Sequence, residues 1–512
     1  MRRTAVLLIC AALLAAACSG GSTKKAAAPG GPTSSSSTDA SRPTSTTASP
    51  TSQSPTSLPP AATLTWQPCA GNECATLSVP LDYTKPSGDH LGIAMIRHRA
   101  TGARIGSLLV DPGGPGASGI DTMSYFLDVL TPTVQEHFDI VAFDPRGVGR
   151  SSPVRCMDSK NLDAFIALDP LPSTPQKRQQ LLEVDKAFTT GCKARSGKIL
   201  PFVGTADAAR DMDQMRAALG DRKLTYFGFS YGTYLGAVYA EEFPTNVRAL
   251  VLDGAIDPSL DTVESNNAQG AGFDKAFGAF LADCASKSTC TWRPGGDLKT
   301  AYNKLVASIT AHPLPVGRRQ LTAGELFYGV AAPLYDKTDW PILAAALQLA
   351  SQGDGSTMLQ LADSLVERHA DGTYANAQEA NAAVNCIDKP SPTDPAAYDR
   401  AAADVAKTAP EFGPAIAYGG LVCAFWPVPA KGKAEPIKAA GSPPIMVIGT
   451  TNDPATPYAG AQALASQLDK GVLVTRVGDG HTGYRSSACV QRYADAYLVD
   501  LVVPSPNPTC SS

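Results

Sequence analysis

From Ser107 onward, apolar and polar positions recur in one order: a short apolar run, a glycine-rich turn, then residues spaced as on one face of a helix. Ser107 to Val110 precedes Asp111-Pro112-Gly113-Gly114-Pro115-Gly116, and Ile140 to Phe143 precedes Asp144-Pro145-Arg146-Gly147. Helical spacing from Ala206 to Leu219, closed by Gly220, leads into the run Leu224 to Phe227; Thr233 to Glu241 is again helical, and Val247 to Leu252 follows. Short apolar runs alternating with helices predict an α/β fold, a mostly parallel sheet covered by helices on both faces. The alternation lapses after about Asp257. From there to about Pro410 the pattern is mainly helical, with Phe273, Phe277, Phe280 and Leu281 on one apolar face. Strand logic returns at Ile445 to Ile448, followed by a helix from Tyr458 to Leu468, a strand from Val472 to Val477 and a helix from about Ser487 to Val499. The expected organisation is a helical cap over residues 258–410 inserted between two parts of one core, 63–257 and 411–512.

The N-terminus follows different rules. Arg2 and Arg3, an apolar stretch from Ala5 to Ala16 and small residues up to Ala17 read as an export signal, residues 1–17. Leu14-Ala15-Ala16-Ala17-Cys18 resembles a bacterial lipobox, which makes Cys18 the expected lipidation site and the membrane a partner through that anchor alone. Plain secretion after cleavage near Ala17 is the alternative, and both routes end outside the cytoplasm. Residues 18–62 collapse to Ser, Thr, Pro, Ala and Gly, a tether without the residues to build a core. No later stretch approaches the ~20 continuous apolar residues of a membrane span.

Composition narrows the class. The chain has 512 residues, 44% of them apolar, enough for a sizeable core, and its net charge of −4 without a long basic run gives no reason to expect a nucleic-acid partner. Of its 12 cysteines, Cys10 lies in the signal and Cys18 at the lipid site. The even remainder, in an exported chain, predicts disulfides. Locality pairs Cys69 with Cys74, Cys156 with Cys192, Cys284 with Cys290, Cys386 with Cys423 and Cys489 with Cys510. The spacings lack C-x-x-C and interleaved histidines, so no metal or other cofactor is expected.

The candidate chemistry centres on Gly228-Phe229-Ser230-Tyr231-Gly232, a G-x-S-x-G pentapeptide between strand-like and helix-like runs. Glycines on either side let the chain turn sharply and lift the Ser230 hydroxyl clear of a strand end, while Tyr231 opens the next helix with its N–H available to an oxyanion. A serine nucleophile needs a base and a carboxylate to orient it, in chain order Ser, Asp or Glu, His. His90, His98 and His137 precede Ser230, and His312 and His369 fall in the helical insertion, which leaves His481. The acid belongs after the preceding strand, at Asp453; Asp479 is the competitor, too near the histidine in sequence to reach across its ring. Thr456 either supports the acid loop or caps the helix that follows. The second oxyanion donor belongs to Gly113-Gly114-Pro115-Gly116, and Gly114 is the better candidate because Pro115 lacks an N–H. No Lys-Ser or Lys-Thr follows that loop, so it is not a phosphate loop. Asp144-Pro145-Arg146-Gly147-Val148-Gly149-Arg150-Ser151 reads as a structural turn.

Together these motifs, over about Leu64 to Cys510, resemble the actinobacterial tripeptidyl aminopeptidases, exported serine peptidases of the α/β-hydrolase fold related to prolyl aminopeptidases. The resemblance implies Ser230 as nucleophile, Asp453 as acid, His481 as base, a helical cap over the site and a disulfide-rich C-terminal region. One departure is Asp111-Pro112, where prolyl aminopeptidases usually carry His before Gly-Gly-Pro-Gly. The implied partners are peptides or proteins with free N-termini. An exopeptidase must neutralise the substrate ammonium, and Glu264 and Asp388 in the insertion are the candidates for that task. A carboxylesterase or lipase with the same triad, and a surface-binding lipoprotein with a decayed site, are the competing readings.

Overall fold

The computed structural model describes residues 58, 60–504 and 507–511. The signal, Cys18 and the tether up to residue 57 lie outside the described residues. The core is a ten-stranded sheet. In chain order its strands are β1 (Gln67–Cys69), β2 (Asn72–Pro80), β3 (His90–His98), β4 (Gly106–Asp111), β5 (Phe138–Phe143), β6 (Leu224–Phe229) and β7 (Val247–Asp253). After the cap hairpin of β8 (Leu314–Val316) and β9 (Arg319–Leu321) come β10 (Ile445–Asn452), β11 (Gly471–Asp479) and β12 (Thr509–Ser511). Their spatial order is β1-β2-β3-β5-β4-β6-β7-β10-β11-β12. β1, β2, β3 and β5 pair antiparallel in succession, and every later pairing in this order, from β5–β4 to β11–β12, is parallel.

Period-two alternation makes each central strand serve two cores. Leu109, Val141, Leu250 and Leu252 face one, with Met212, Leu235, Tyr239 and Leu464 from covering helices. Leu108, Val110, Ile140, Ala142, Ala249 and Val251 face the other, with Phe126, Val134, Val490 and Leu498. That two-sided burial is why these strands read as continuous apolar runs.

Between β7 and β10 the chain forms the mainly helical cap. Its first helix, Thr262–Ser286, opens on a capping box of Asp261 and Glu264. A Cβ on Gly272 would lie 2.5 Å from the Pro454 carbonyl oxygen, so glycine lets this helix press on the loop that carries Asp453. The helix Ala377–Asp388 approaches from another side, where Asn381 Nδ2 donates to the Pro115 carbonyl (3.1 Å). All five pairs expected from locality are formed as disulfides. Such bridges belong to an oxidising, extracytoplasmic compartment. Among the described residues no helix is long and apolar enough to cross a membrane.

Candidate active site

β6 ends on Ser230, whose backbone is held at φ 55° and ψ −122°. This left-handed region is strained for a residue with a side chain. Hydrogen bonds hold it there: Ser230 N donates to the carbonyl of Asp253 at the end of β7 (2.9 Å), and Thr233 donates to the Ser230 carbonyl through N (2.9 Å) and Oγ1 (2.6 Å). The flanking glycines have steric reasons. A Cβ on Gly228 would lie 2.2 Å from the Gly232 carbonyl oxygen, and one on Gly232 would lie 2.8 Å from Asp111 Oδ1. The sharp turn leaves room for nothing larger.

His481 follows β11, and its Nδ1 lies 2.8 Å from Asp453 Oδ1 and 2.9 Å from Oδ2. The carboxylate also accepts from the N–H groups of Ala455 (3.0 Å), Thr456 (2.9 Å) and Thr482 (3.1 Å). Thr456 Oγ1 stands 3.3 Å from the same ring nitrogen, which puts this threonine beside the acid–base pair. The histidine is fixed further by its own N–H donating to the Tyr335 carbonyl (2.7 Å) and by the edge of the Tyr335 ring, so the cap helps to place it. A Cβ on Gly254 would lie 3.0 Å from the histidine Cε1, so the ring packs beside the residue that follows Asp253, whose carbonyl accepts from Ser230 N. Nε2 is buried and has no hydrogen-bond partner among the described residues. Asp479 is engaged elsewhere, with Asn452 Nδ2 (2.8 Å) and Lys337.

The glycine loop after β4 closes the third side. A Cβ on Gly113 (φ 96°) would lie 2.9 Å from Ser230 Cβ and 3.1 Å from Tyr231 N, so its backbone packs directly on the turn. Gly114 and Tyr231 both line the cavity into which Ser230 opens. Beneath the loop, the buried Asp111 carboxylate accepts from Gly113 N (2.9 Å), and burial pushes its pKa up to about 7. Asp253, buried under the turn and accepting from Gly483 and Tyr484 N–H groups, is raised by the same cause to about 6.

The cavity beside Ser230 has a volume of about 260 Å³. The cap helix Ala377–Asp388 contributes Asn381, Asn385 and Asp388 to its wall, three positions that share one helical face. Asp388 accepts from Thr205 N (2.7 Å) and Thr205 Oγ1, and Thr205 Oγ1 lies 2.5 Å from the Tyr231 hydroxyl. The candidate carboxylate is thus one tyrosine side chain and one threonine away from the serine turn. Burial raises Asp388 to about 7, against the opposing pull of Thr205 and Lys389. The Lys389 ammonium donates to the Leu260 carbonyl, stands over the Tyr234 ring, and is held below the usual lysine range by burial. Asp388 and Tyr234 also line a second cavity of about 450 Å³, so they form the partition between the two.

Glu264 requires a correction. It is exposed, lies outside the cavity wall, and uses its carboxylate to accept from Asp261 N (3.0 Å) in the capping box. A glutamate three residues after an Asp before an apolar run is the sequence signature of that cap. Sequence reasoning missed Asp257, which lines the cavity while its Oδ1 accepts from Ser259 N (2.9 Å), Ser259 Oγ (2.6 Å) and Gln467 Nε2 (2.7 Å), and Asn381 and Asn385, whose i, i+4 spacing was the available signal. Among the described residues no group of His, Cys, Asp and Glu is arranged to hold a metal ion.

A parallel sheet that presents a serine on a strained turn after one strand, and a histidine paired with a carboxylate after later strands, defines a serine hydrolase of the α/β-hydrolase fold. Residues 106–294 match the family described as alpha/beta hydrolase fold, and residues 409–510 the family described as TAP-like protein. The serine protease Hip1 of Mycobacterium tuberculosis is 38% identical over 479 residues, covering 87% of this chain and 90% of that protein. Carboxylesterase B of the same species is 39% identical over 453 residues, 86% of each chain. The tripeptidyl aminopeptidase of Streptomyces lividans is 30% identical over 468 residues, 87% of this chain and 86% of that one. The chain belongs to the tripeptidyl aminopeptidase family of α/β-hydrolases.

Proposed function

We propose that this protein is a serine exopeptidase of the cell surface that removes short peptides, tripeptides on the family resemblance, from free N-termini. The observation that carries the reading is the chamber beside Ser230. It is roofed by the cap, is small for a ligand pocket, and has the acidic residues Asp388 and Asp257 in its wall. A substrate ammonium needs such a group, and a simple acyl ester does not. An ammonium arriving next to Asp388 favours its charged form, which offsets the desolvation that otherwise holds the carboxyl partly neutral.

In this reading Ser230 Oγ attacks the scissile carbonyl while His481 Nε2 takes its proton. Asp453 holds the imidazole in the tautomer with a proton on Nδ1 and stabilises the cation. The N–H groups of Tyr231 and Gly114 receive the oxyanion. When the C–N bond breaks, His481 returns the proton to the leaving amine. Water activated by the same histidine then cleaves the acyl-enzyme. Lipidation at Cys18 would tether the domain to the outer face of the membrane.

A carboxylesterase is the second reading, favoured by the relative that bears that name at 39% identity. The test is to incubate the protein lacking residues 1–62 with a defined peptide of about ten residues and follow its products by mass spectrometry. The proposal expects successive loss of short N-terminal pieces of one length. Internal cleavage, or an intact peptide beside rapid ester hydrolysis, rejects it.

A further inference from the structure

A third, smaller cavity of about 40 Å³ lies beside His481 and is lined also by Pro112, Tyr125, Tyr335, Asp336 and Arg485. Ser230, Tyr231 and Gly114 line the larger chamber and His481 lines the smaller one, so the reacting pair stands between the two. The proton that leaves His481 Nε2 goes to the amine being expelled, so the chain beyond the scissile bond must pass on the histidine side. We propose that this crevice is the subsite for the leaving peptide, and that Arg485 within it binds the terminal carboxylate of a short leaving segment. The inference rests on the peptidase reading above.

Arg485 follows His481 by four residues and has about a quarter of its side chain exposed, so it stands at a mouth open to solvent. Its Nη1 lies 2.7 Å from Asp336 Oδ2 in the cap, while the other oxygen of Asp336 accepts from Thr338 N and Oγ1 (both 2.8 Å). The aspartate therefore steadies one side of a guanidinium whose planar fork carries five donors, a geometry suited to a second carboxylate. The Tyr125 ring centroid lies 6.0 Å from the guanidinium carbon, and Tyr335 forms another wall. A water needs roughly 10–15 Å³ of such space, so the crevice itself takes a few atoms, and a longer leaving chain continues out through its solvent-facing mouth. Asp257, Asp388 and Lys389 line the chamber, whereas Arg485 with its partner Asp336 lines the crevice, so the Arg485 guanidinium is the cation set in the crevice wall for a carboxylate. That pattern fits a short zwitterionic peptide with one residue beyond the cut.

The experiment compares kcat/KM for a tetrapeptide with a free C-terminus and for the same peptide as its C-terminal amide, in the wild type, Arg485→Gln and Arg485→Lys. Because the ratio is taken within one protein, any loss of folded enzyme cancels. The proposal expects the wild type to favour the free acid by ~10-fold, the effect of one charge-assisted hydrogen bond. The ratio should fall to about one in Arg485→Gln and to an intermediate value in Arg485→Lys, which keeps charge without the fork. Equal rates on the two peptides in the wild type, or a ratio that survives in Arg485→Gln, overturns the subsite. A tripeptidyl arylamide, which has no carboxylate on its leaving group, separates the two claims. Its cleavage alongside a ratio of one rejects the subsite alone; failure of the wild type on all three substrates removes the peptidase reading and the subsite with it.

Discussion

Both carboxylate oxygens of Asp453 lie within hydrogen-bond distance of His481 Nδ1, at 2.8 and 2.9 Å, across 28 residues of chain. Three backbone N–H groups hold the same carboxylate, two from its own loop and one from Thr482 next to the histidine, so its orientation does not depend on the imidazole alone. If the pair works as the acid and base of the reaction, Asp453→Asn keeps the shape and imposes the wrong imidazole tautomer. The expected loss is about 10³- to 10⁴-fold in kcat with a thermal midpoint close to that of the wild type. Steady-state rates and thermal unfolding on the same preparations check this, and a loss below about tenfold would remove Asp453 from the mechanism.

The turn at Ser230 depends on the absence of a side chain at Gly228. Gly228→Ala places a methyl group 2.2 Å from the Gly232 carbonyl oxygen, with the Gly232 carbonyl carbon at 2.5 Å, so backbone must move. We expect a cost of about 3 kcal/mol or more, together with loss of turnover. Gly353 (φ 93°) has open space around its α-carbon, and Gly353→Ala should cost only about 1 kcal/mol. Denaturant unfolding of the two variants separates a steric demand from a merely conformational one.

Asp111 gives a dependence of stability on pH. Its folded pKa is raised to about 7 by burial, against ~3.9 in the unfolded chain. Between those values the folded protein keeps a proton that the unfolded chain releases, so this group's contribution to stability falls as pH rises from ~4 to ~7. Asp111→Asn removes the titration while keeping an acceptor for the Gly113 N–H. The variant should therefore gain on the wild type between pH 5 and pH 8, by a few kcal/mol at most. An equal difference in thermal midpoint at the two pH values contradicts the assignment.

Asp388 and Glu264 were equivalent candidates in the sequence and part company in the structure. Asp388→Ala should cost ~2–4 kcal/mol in transition-state binding of peptides with a free amine and little on N-acetylated ones. Glu264→Ala should leave that selectivity alone and cost about 1 kcal/mol of stability through the lost cap. Selectivity measured on the paired substrates distinguishes the two, and a drop shared by blocked and free peptides in Asp388→Ala would make its role structural.

What was legible in the sequence follows from the physics of each part. β4, β5, β6, β7 and β10 are buried on both faces, so their apolar runs announced them, and each glycine-rich turn after them marked where the chain must bend. Five disulfides were readable because each joins two cysteines that are successive along the chain. β1 to β3 were not read, since β1 is only three residues long and the antiparallel strands β2 and β3 precede the strand-turn-helix alternation, although Ala75, Leu77 and Val79 of β2 alternate with exposed Thr76 and Ser78. The hairpin of β8 and β9 is only three residues a side, below the length at which period two can be seen. At the site, the serine, acid and histidine each follow a strand and could be found by order. Asp257, Lys389 and Arg485 acquire meaning only from what the fold sets beside them, because charged residues in loops and at helix ends are usually solvated.

The most direct test of the account is to compare one tripeptidyl arylamide with a free amine, its N-acetylated form, and an acyl ester of the same aromatic leaving-group type, using wild type and Ser230→Ala. The account predicts that the wild type cleaves the free-amine arylamide at least ~100-fold faster in kcat/KM than the acetylated one, as expected for a buried charge pair worth ~3 kcal/mol. It also predicts that Ser230→Ala cleaves neither. Equal cleavage of free and acetylated arylamides, or turnover confined to the ester, would contradict it.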